Sequence, residues 1–126
     1  MTVLLERLQA IVGPGGWTSD PQELQPHVTE WRGIYEGRAL IMVKPRTTDE
    51  VAAIVRACAD SDTAIVPQGG NTSMCGGAVP DASGEQVILN LSRMNRVLDV
   101  DAENFSMTVQ AGCLLATAQE AARGAG

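Results

Sequence analysis

Leu4, Leu5, Leu8, Ile11 and Val12 recur at helical spacing with Glu6, Arg7 and Gln9 between them, which predicts an amphipathic helix over 3–12. The glycines and proline of GPGG at 13–16 end it. Residues 17–37 show no clear period, although Asp20 followed by Pro21 is a pattern that starts a short helix. The pattern then sharpens. ALIMVKP at 39–45 is a continuous apolar run closed by proline, as expected of a strand covered on both faces. TTDE at 47–50 is a capping box, and Val51, Ile54, Val55 and Cys58 form an apolar stripe behind it, so 48–60 is predicted to be a helix. TAIVP at 63–67 is a second apolar strand.

Strand, helix and strand in this order make a βαβ unit with parallel strands and a right-handed crossover. Farther on, the runs at 86–91, 96–101 and 105–112 are separated by the short turns SRMN and DAEN, which predicts antiparallel pairing among them. An alanine-rich helix is expected to run to the end of the chain. The fold class is therefore α+β: a small parallel βαβ subdomain, then the start of an antiparallel sheet and a helix. The division expected is an N-terminal helix with an irregular segment at 1–38, and a second unit at 39–126. The sheet has only begun where the chain stops, which suggests the front part of a longer protein.

Composition narrows the function. The net charge is −6 with no basic cluster, which argues against a nucleic-acid partner. No apolar run approaches the ~20 residues of a membrane span. Glu6 and Arg7 interrupt what would be the apolar stretch of a signal peptide, leaving a cytoplasmic protein as the expectation. Cys58, Cys75 and Cys113 are far apart and form no CxxC pair, so neither a disulfide framework nor a metal site is expected. His27 reads as a loop residue. Arg32, beside Trp31, reads as a surface or packing arginine rather than a carboxylate ligand.

The chemistry gathers in IVPQGGNTSMCGG at 65–77, directly after a predicted parallel strand. Ligands of open α/β sheets bind at that end of the strands. Glycines let a backbone approach an anion closely, and Asn71, Thr72 and Ser73 add short neutral donors. No GK pair exists for a triphosphate-binding loop, and the GxGxxG spacing of a dinucleotide fingerprint is absent. From these residues alone, an anion or cofactor site and a purely structural Ω-type loop remain equal readings.

The string VPQGGNTSMCGGAVPD, preceded by EWRGIYEGRALIMVKPRTTDEVAAIVRAC and followed by VILNLSRMNRVLDVDAENFSMTVQAG, resembles the FAD-binding, PCMH-type domain of the vanillyl-alcohol-oxidase-like flavoproteins. Within them it is similar to the branch of D-lactate dehydrogenase, D-2-hydroxyglutarate dehydrogenase and glycolate oxidase. The resemblance implies that Pro67 and Gln68 lead into a loop whose amides at Gly69, Gly70, Asn71, Thr72 and Ser73 hold the FAD pyrophosphate. Gly76 and Gly77 match the second glycine pair of the family, and Pro45 matches its proline beside the adenine. Gln68 stands where relatives often carry arginine. The histidine of relatives with covalent flavin is missing from the loop, so FAD is expected to be non-covalent.

By that resemblance the full protein oxidises a small D-2-hydroxy acid, and this segment holds the cofactor without catalytic residues of its own. The alternative is a non-catalytic FAD-binding module that needs a separate partner. The motifs do not specify the electron acceptor; a quinone acceptor would put the protein peripherally at a membrane.

Overall fold

The computed structural model describes residues 2–126. Its first helix, α1 (Thr2–Val12), buries Leu4, Leu8 and Val12, one residue per turn on a single stripe. Then come a two-residue strand, β1 (Trp17–Thr18), and a short helix, α2 (Pro21–Val28). As the sequence suggests, Asp20 caps α2 by accepting from the Gln22 amide at 3.0 Å, with Pro21 in the first turn.

The apolar run becomes β2 (Ala39–Val43), followed by helix α3 (Thr48–Asp60) and strand β3 (Ile65–Gln68). Thr47 caps α3 by accepting from the Glu50 amide at 3.1 Å. Glu50 reaches one residue farther back than the capping box predicts, to the Arg46 amide at 3.0 Å. The chain continues through β4 (Gln86–Asn90), β5 (Val97–Asp101), β6 (Ser106–Val109) and α4 (Leu115–Gly124).

The main sheet has the order β1-β2-β4-β3. Here the structure corrects the sequence reading. The 86–91 run was expected to open an antiparallel meander, but β4 lies between β2 and β3 and runs parallel to both. The reason is burial. Val87, Ile88, Leu89 and Asn90 are all buried, so the strand needs cover on both faces and a neighbour on each side. Only the centre of the sheet supplies these. The strands of the βαβ unit are parallel as expected, but they flank β4 rather than touch each other.

Alternation along the strands feeds two cores. Ile41, Val43, Val87 and Leu89 pack with Leu4, Leu8 and Val12 of α1 and Ile54, Ala57 and Cys58 of α3. Met42 and Ile88 point the other way, onto Leu24 and Val28 of α2. β1, which the sequence showed no period for, pairs antiparallel with β2 through Trp17–Val43 and Thr18–Met42. β5 and β6 form the expected antiparallel pair as a separate two-stranded sheet. β6 begins one residue later than predicted because Phe105 adopts φ +52° in the turn. No helix among the described residues is long and apolar enough to cross a membrane.

Candidate functional site

The glycine loop leaves β3 at the carboxyl ends of the parallel strands. Pro67 is exposed on β3, which is an edge strand and therefore tolerates a residue without an N–H. Gln68, the last residue of β3, is only 1% exposed. Its Nε2 donates to the carbonyls of His27 (2.8 Å) and Ala78 (2.9 Å). Its Oε1 then accepts from Asn90 Nδ2 (3.0 Å) and from His27 Nδ1 (2.8 Å), which places a proton on that ring nitrogen. All four hydrogen-bonding positions of the side chain are committed to the protein. Gln68 thus ties α2, β3 and β4 together beneath the loop.

His27 is likewise not a loop residue but part of the last turn of α2, and it belongs to this network. Sequence reasoning missed the network. The signal was Asn90, a polar residue on a strand buried on both faces, which must find partners.

Asn71 anchors the first half of the loop. It sits at φ +56°, and its Nδ2 donates to the carbonyls of Pro26 (3.0 Å) and Thr29 (2.9 Å). Those donors hold the loop to α2 and the segment after it, so only the backbone of Asn71 is left to donate to a ligand. Its Oδ1 is buried and meets no donor among the described residues. Thr72 is exposed, and Ser73 accepts from the Cys75 amide at 3.4 Å. Pro45, beyond the end of β2, is fully buried and packed within the protein. Cys75 is exposed, and all three cysteines are free thiols.

The backbone of the loop is mostly unpartnered. The amides of residues 69–74, and those of Gly76 and Gly77, donate to no group among the described residues. The glycines divide into two kinds. Gly76 is required by the fold: its φ is +79°, and an added Cβ would meet the Tyr35 ring at 3.1–3.4 Å. Gly69, Gly70 and Gly77 are different. Their φ lies outside the left-handed region, and an added Cβ would meet nothing at Gly69 and Gly77 and only Thr72 Cγ2 at 4.0 Å at Gly70. Neither conformation nor packing within the chain asks for glycine there. A row of free N–H donors bordered by open space suits a ligand rich in acceptor oxygens. The buried Asn71 Oδ1 suits a donor such as a sugar hydroxyl. The diphosphate and sugar parts of a dinucleotide cofactor meet both requirements.

A second segment, 29–36, lies against this loop, closed by a bridge between Thr29 and Glu36. Its buried carboxylate, Glu30, had no signal in the sequence. Burial pushes the Glu30 carboxyl up, but the Arg32 and Ile34 amides, the Arg32 guanidinium and the Tyr35 amide outweigh it and hold it below the ordinary value. No group of His, Cys, Asp and Glu suited to a metal ion occurs among the described residues.

The sequence model of the FAD binding domain family matches residues 39–126. The mitochondrial D-2-hydroxyglutarate dehydrogenase of Bos taurus is 40% identical over 111 residues, covering 88% of this chain and 20% of that protein. The D-2-hydroxyglutarate–pyruvate transhydrogenase of Saccharomyces cerevisiae is 34% identical over 100 residues, covering 79% of this chain and 20% of that one. The chain thus spans about one fifth of the length of these relatives. Among solved structures, alkyldihydroxyacetonephosphate synthase superposes with a TM-score of 0.85 at 23% identity, covering 100% of this chain and 25% of that one, which shows a shared fold.

Proposed function

Because the chain belongs to the FAD binding domain family, we propose that its glycine loop holds the diphosphate of a non-covalently bound FAD in an oxidoreductase acting on a small D-2-hydroxy acid. The observation that carries this reading is the set Gly69, Gly70 and Gly77, where glycine serves neither φ nor packing, beside amides with no partner among the described residues. Those amides would take the diphosphate oxygens, and Asn71 Oδ1 would accept from a cofactor hydroxyl. Bound FAD would supply the redox chemistry, taking a hydride from the substrate carbon. The work of this segment is to bind and orient it.

In this reading the division at 38/39 separates a buttress from a site. The first unit supplies Pro26, Thr29 and His27 as supports, and 39–126 supplies the loop. D-2-Hydroxyglutarate, D-lactate and glycolate are the candidate substrates, in line with the names of the relatives for the first. A reducing compartment, cytosol or mitochondrial matrix, suits the three free thiols.

The test uses the full protein encoded by the gene. It is expected to purify with the visible absorbance of oxidised flavin, to release the flavin into the supernatant on acid precipitation, and to bleach anaerobically with one of the three acids. Gly70→Val puts a branched side chain into the open space and is expected to weaken FAD affinity at least ~10-fold, about 1.4 kcal/mol. Unchanged affinity in that variant would return the loop to a structural turn.

The second reading is a non-catalytic module completed by another polypeptide. A flavin-loaded protein that none of the acids bleaches until a partner is added would support it.

A further inference from the structure

The second half of the glycine loop is barely held by its own backbone. Between Ser73 and Val79 the loop makes two long contacts, Cys75 N to Ser73 Oγ and Val79 N to Gly76 O, each 3.4 Å. Gln68 Nε2 holds its far end at the Ala78 carbonyl (2.9 Å), and the other pins come from residues 30–35. The Arg32 Nη2 donates to the Met74 carbonyl, and the Tyr35 ring covers the Cα of Gly76. These two points lie on either side of Cys75.

Arg32 is in turn held by Glu30, whose side chain has no solvent exposure. Oε2 of Glu30 accepts from the Arg32 amide (3.0 Å) and Nε (3.3 Å), and Oε1 accepts from the amides of Ile34 (2.5 Å) and Tyr35 (3.4 Å). A buried carboxylate is costly unless it is paired and hydrogen-bonded, and here both conditions are met by one turn. The guanidinium fork has donors left over after binding Glu30, and it directs one across to a residue 42 positions away.

We infer that Glu30 and Arg32 are positioning residues for the cofactor loop: the buried carboxylate orients the guanidinium onto the Met74 carbonyl, and so fixes the loop from Ser73 to Gly77 in its ligand-receiving shape. This rests on the FAD reading above. Arg32 then acts through the loop rather than on a substrate carboxylate. Lysine cannot replace it, because a single ammonium on a flexible stem does not reach Glu30 and Met74 as a planar fork does.

The experiment measures FAD affinity of the full protein by flavin fluorescence in wild type, Arg32→Ala, Arg32→Lys, Glu30→Gln and Gly70→Val. Arg32→Ala is expected to bind FAD ~10-fold or more weakly, with Arg32→Lys rescuing little, since a hydrogen bond to a charged group is of that order. Millimolar guanidinium is expected to restore affinity in Arg32→Ala, but not in Gly70→Val. Glu30→Gln, which keeps the shape and loses the charge, is expected to weaken binding in the same direction.

A wild type that takes up no FAD sinks the cofactor reading and the positioning role with it. A wild type that binds FAD while Arg32→Ala binds equally well overturns the positioning role alone. Loss of affinity in Arg32→Ala that guanidinium does not restore, accompanied by a lower melting temperature of the apoprotein, also overturns it, because the pair then only supports the fold.

Discussion

Gln68 sits at the mouth of the glycine loop, where the family resemblance puts it beside a cofactor. Instead it has Nε2 on two carbonyls and Oε1 on Asn90 and His27, a closed set of four hydrogen bonds beneath the loop. Low dielectric strengthens such a set when it is complete and penalises it when a member is missing. Gln68→Ala leaves two donors and two acceptors unpaired at a buried position. The expected loss is about 2–4 kcal/mol in chemical denaturation of the full protein. If the residue instead served mainly as a ligand contact, stability would be unchanged and only FAD affinity would fall. Asn71 follows the same logic, since its amide protons hold α2 and the following segment in place. The small polar residues around the loop thus shape it, while most of its main-chain amides keep no partner among the described residues.

At the scale of elements, α3 explains how a crossover helix is placed with few residues. Thr47 and Glu50 supply its N-terminal hydrogen bonds, and Ile54, Ala57 and Cys58 press its inner face onto the sheet. Thr47→Ala removes the cap but leaves the packed stripe, so the cost is expected to be about 1 kcal/mol, read as a shift of the denaturation midpoint with an unchanged slope. A surface ion pair between Arg7 and Asp60, 3.0 Å apart, links α1 to α3 but is too exposed to add more than a few tenths. β4 is the element on which the others depend. It pairs with two strands and contributes to both cores, so the edge strand β3 and the loop after it are held by the most buried strand of the sheet.

For the whole molecule, acid is the condition that tests these arrangements together. The carboxyl of Glu30 is raised by burial and lowered further by the Arg32, Ile34 and Tyr35 groups, for a net lowering from 4.5. The carboxyl of Asp81 is lowered from 3.8, chiefly by the Ser83 hydroxyl and amide. A carboxylate lowered in the folded state contributes stability that is present above its unfolded value and lost as pH falls through its folded one. The melting temperature is therefore expected to be flat with respect to these two groups above pH 4.5, and to fall as the pH drops below 4.5 and then 3.8. Glu30→Gln should remove part of that acid dependence. A wild-type curve that stays flat into that range would show that neither carboxylate is held as described.

The local order of this FAD-binding domain was legible in the residues alone. Periods of 3.6, two capping signals and short apolar runs place α1, α3, β2, β3 and the β5–β6 pair with small errors at their ends, and mark where α2 starts. The neutral glycine loop, lacking a lysine, could also be read as a place for an anion or a cofactor. These features are written over a few consecutive residues, and local sterics and hydrogen bonding suffice to express them. Only the tertiary structure put β4 in the middle of the sheet, sent the Gln68 side chain inward, and joined Arg32 to Met74. Each of those outcomes depends on burial or on partners far away in the chain, such as His27 with Gln68 at 41 positions or Arg32 with Met74 at 42. No period along the sequence encodes a contact of that kind, because the folded packing of the whole chain selects it.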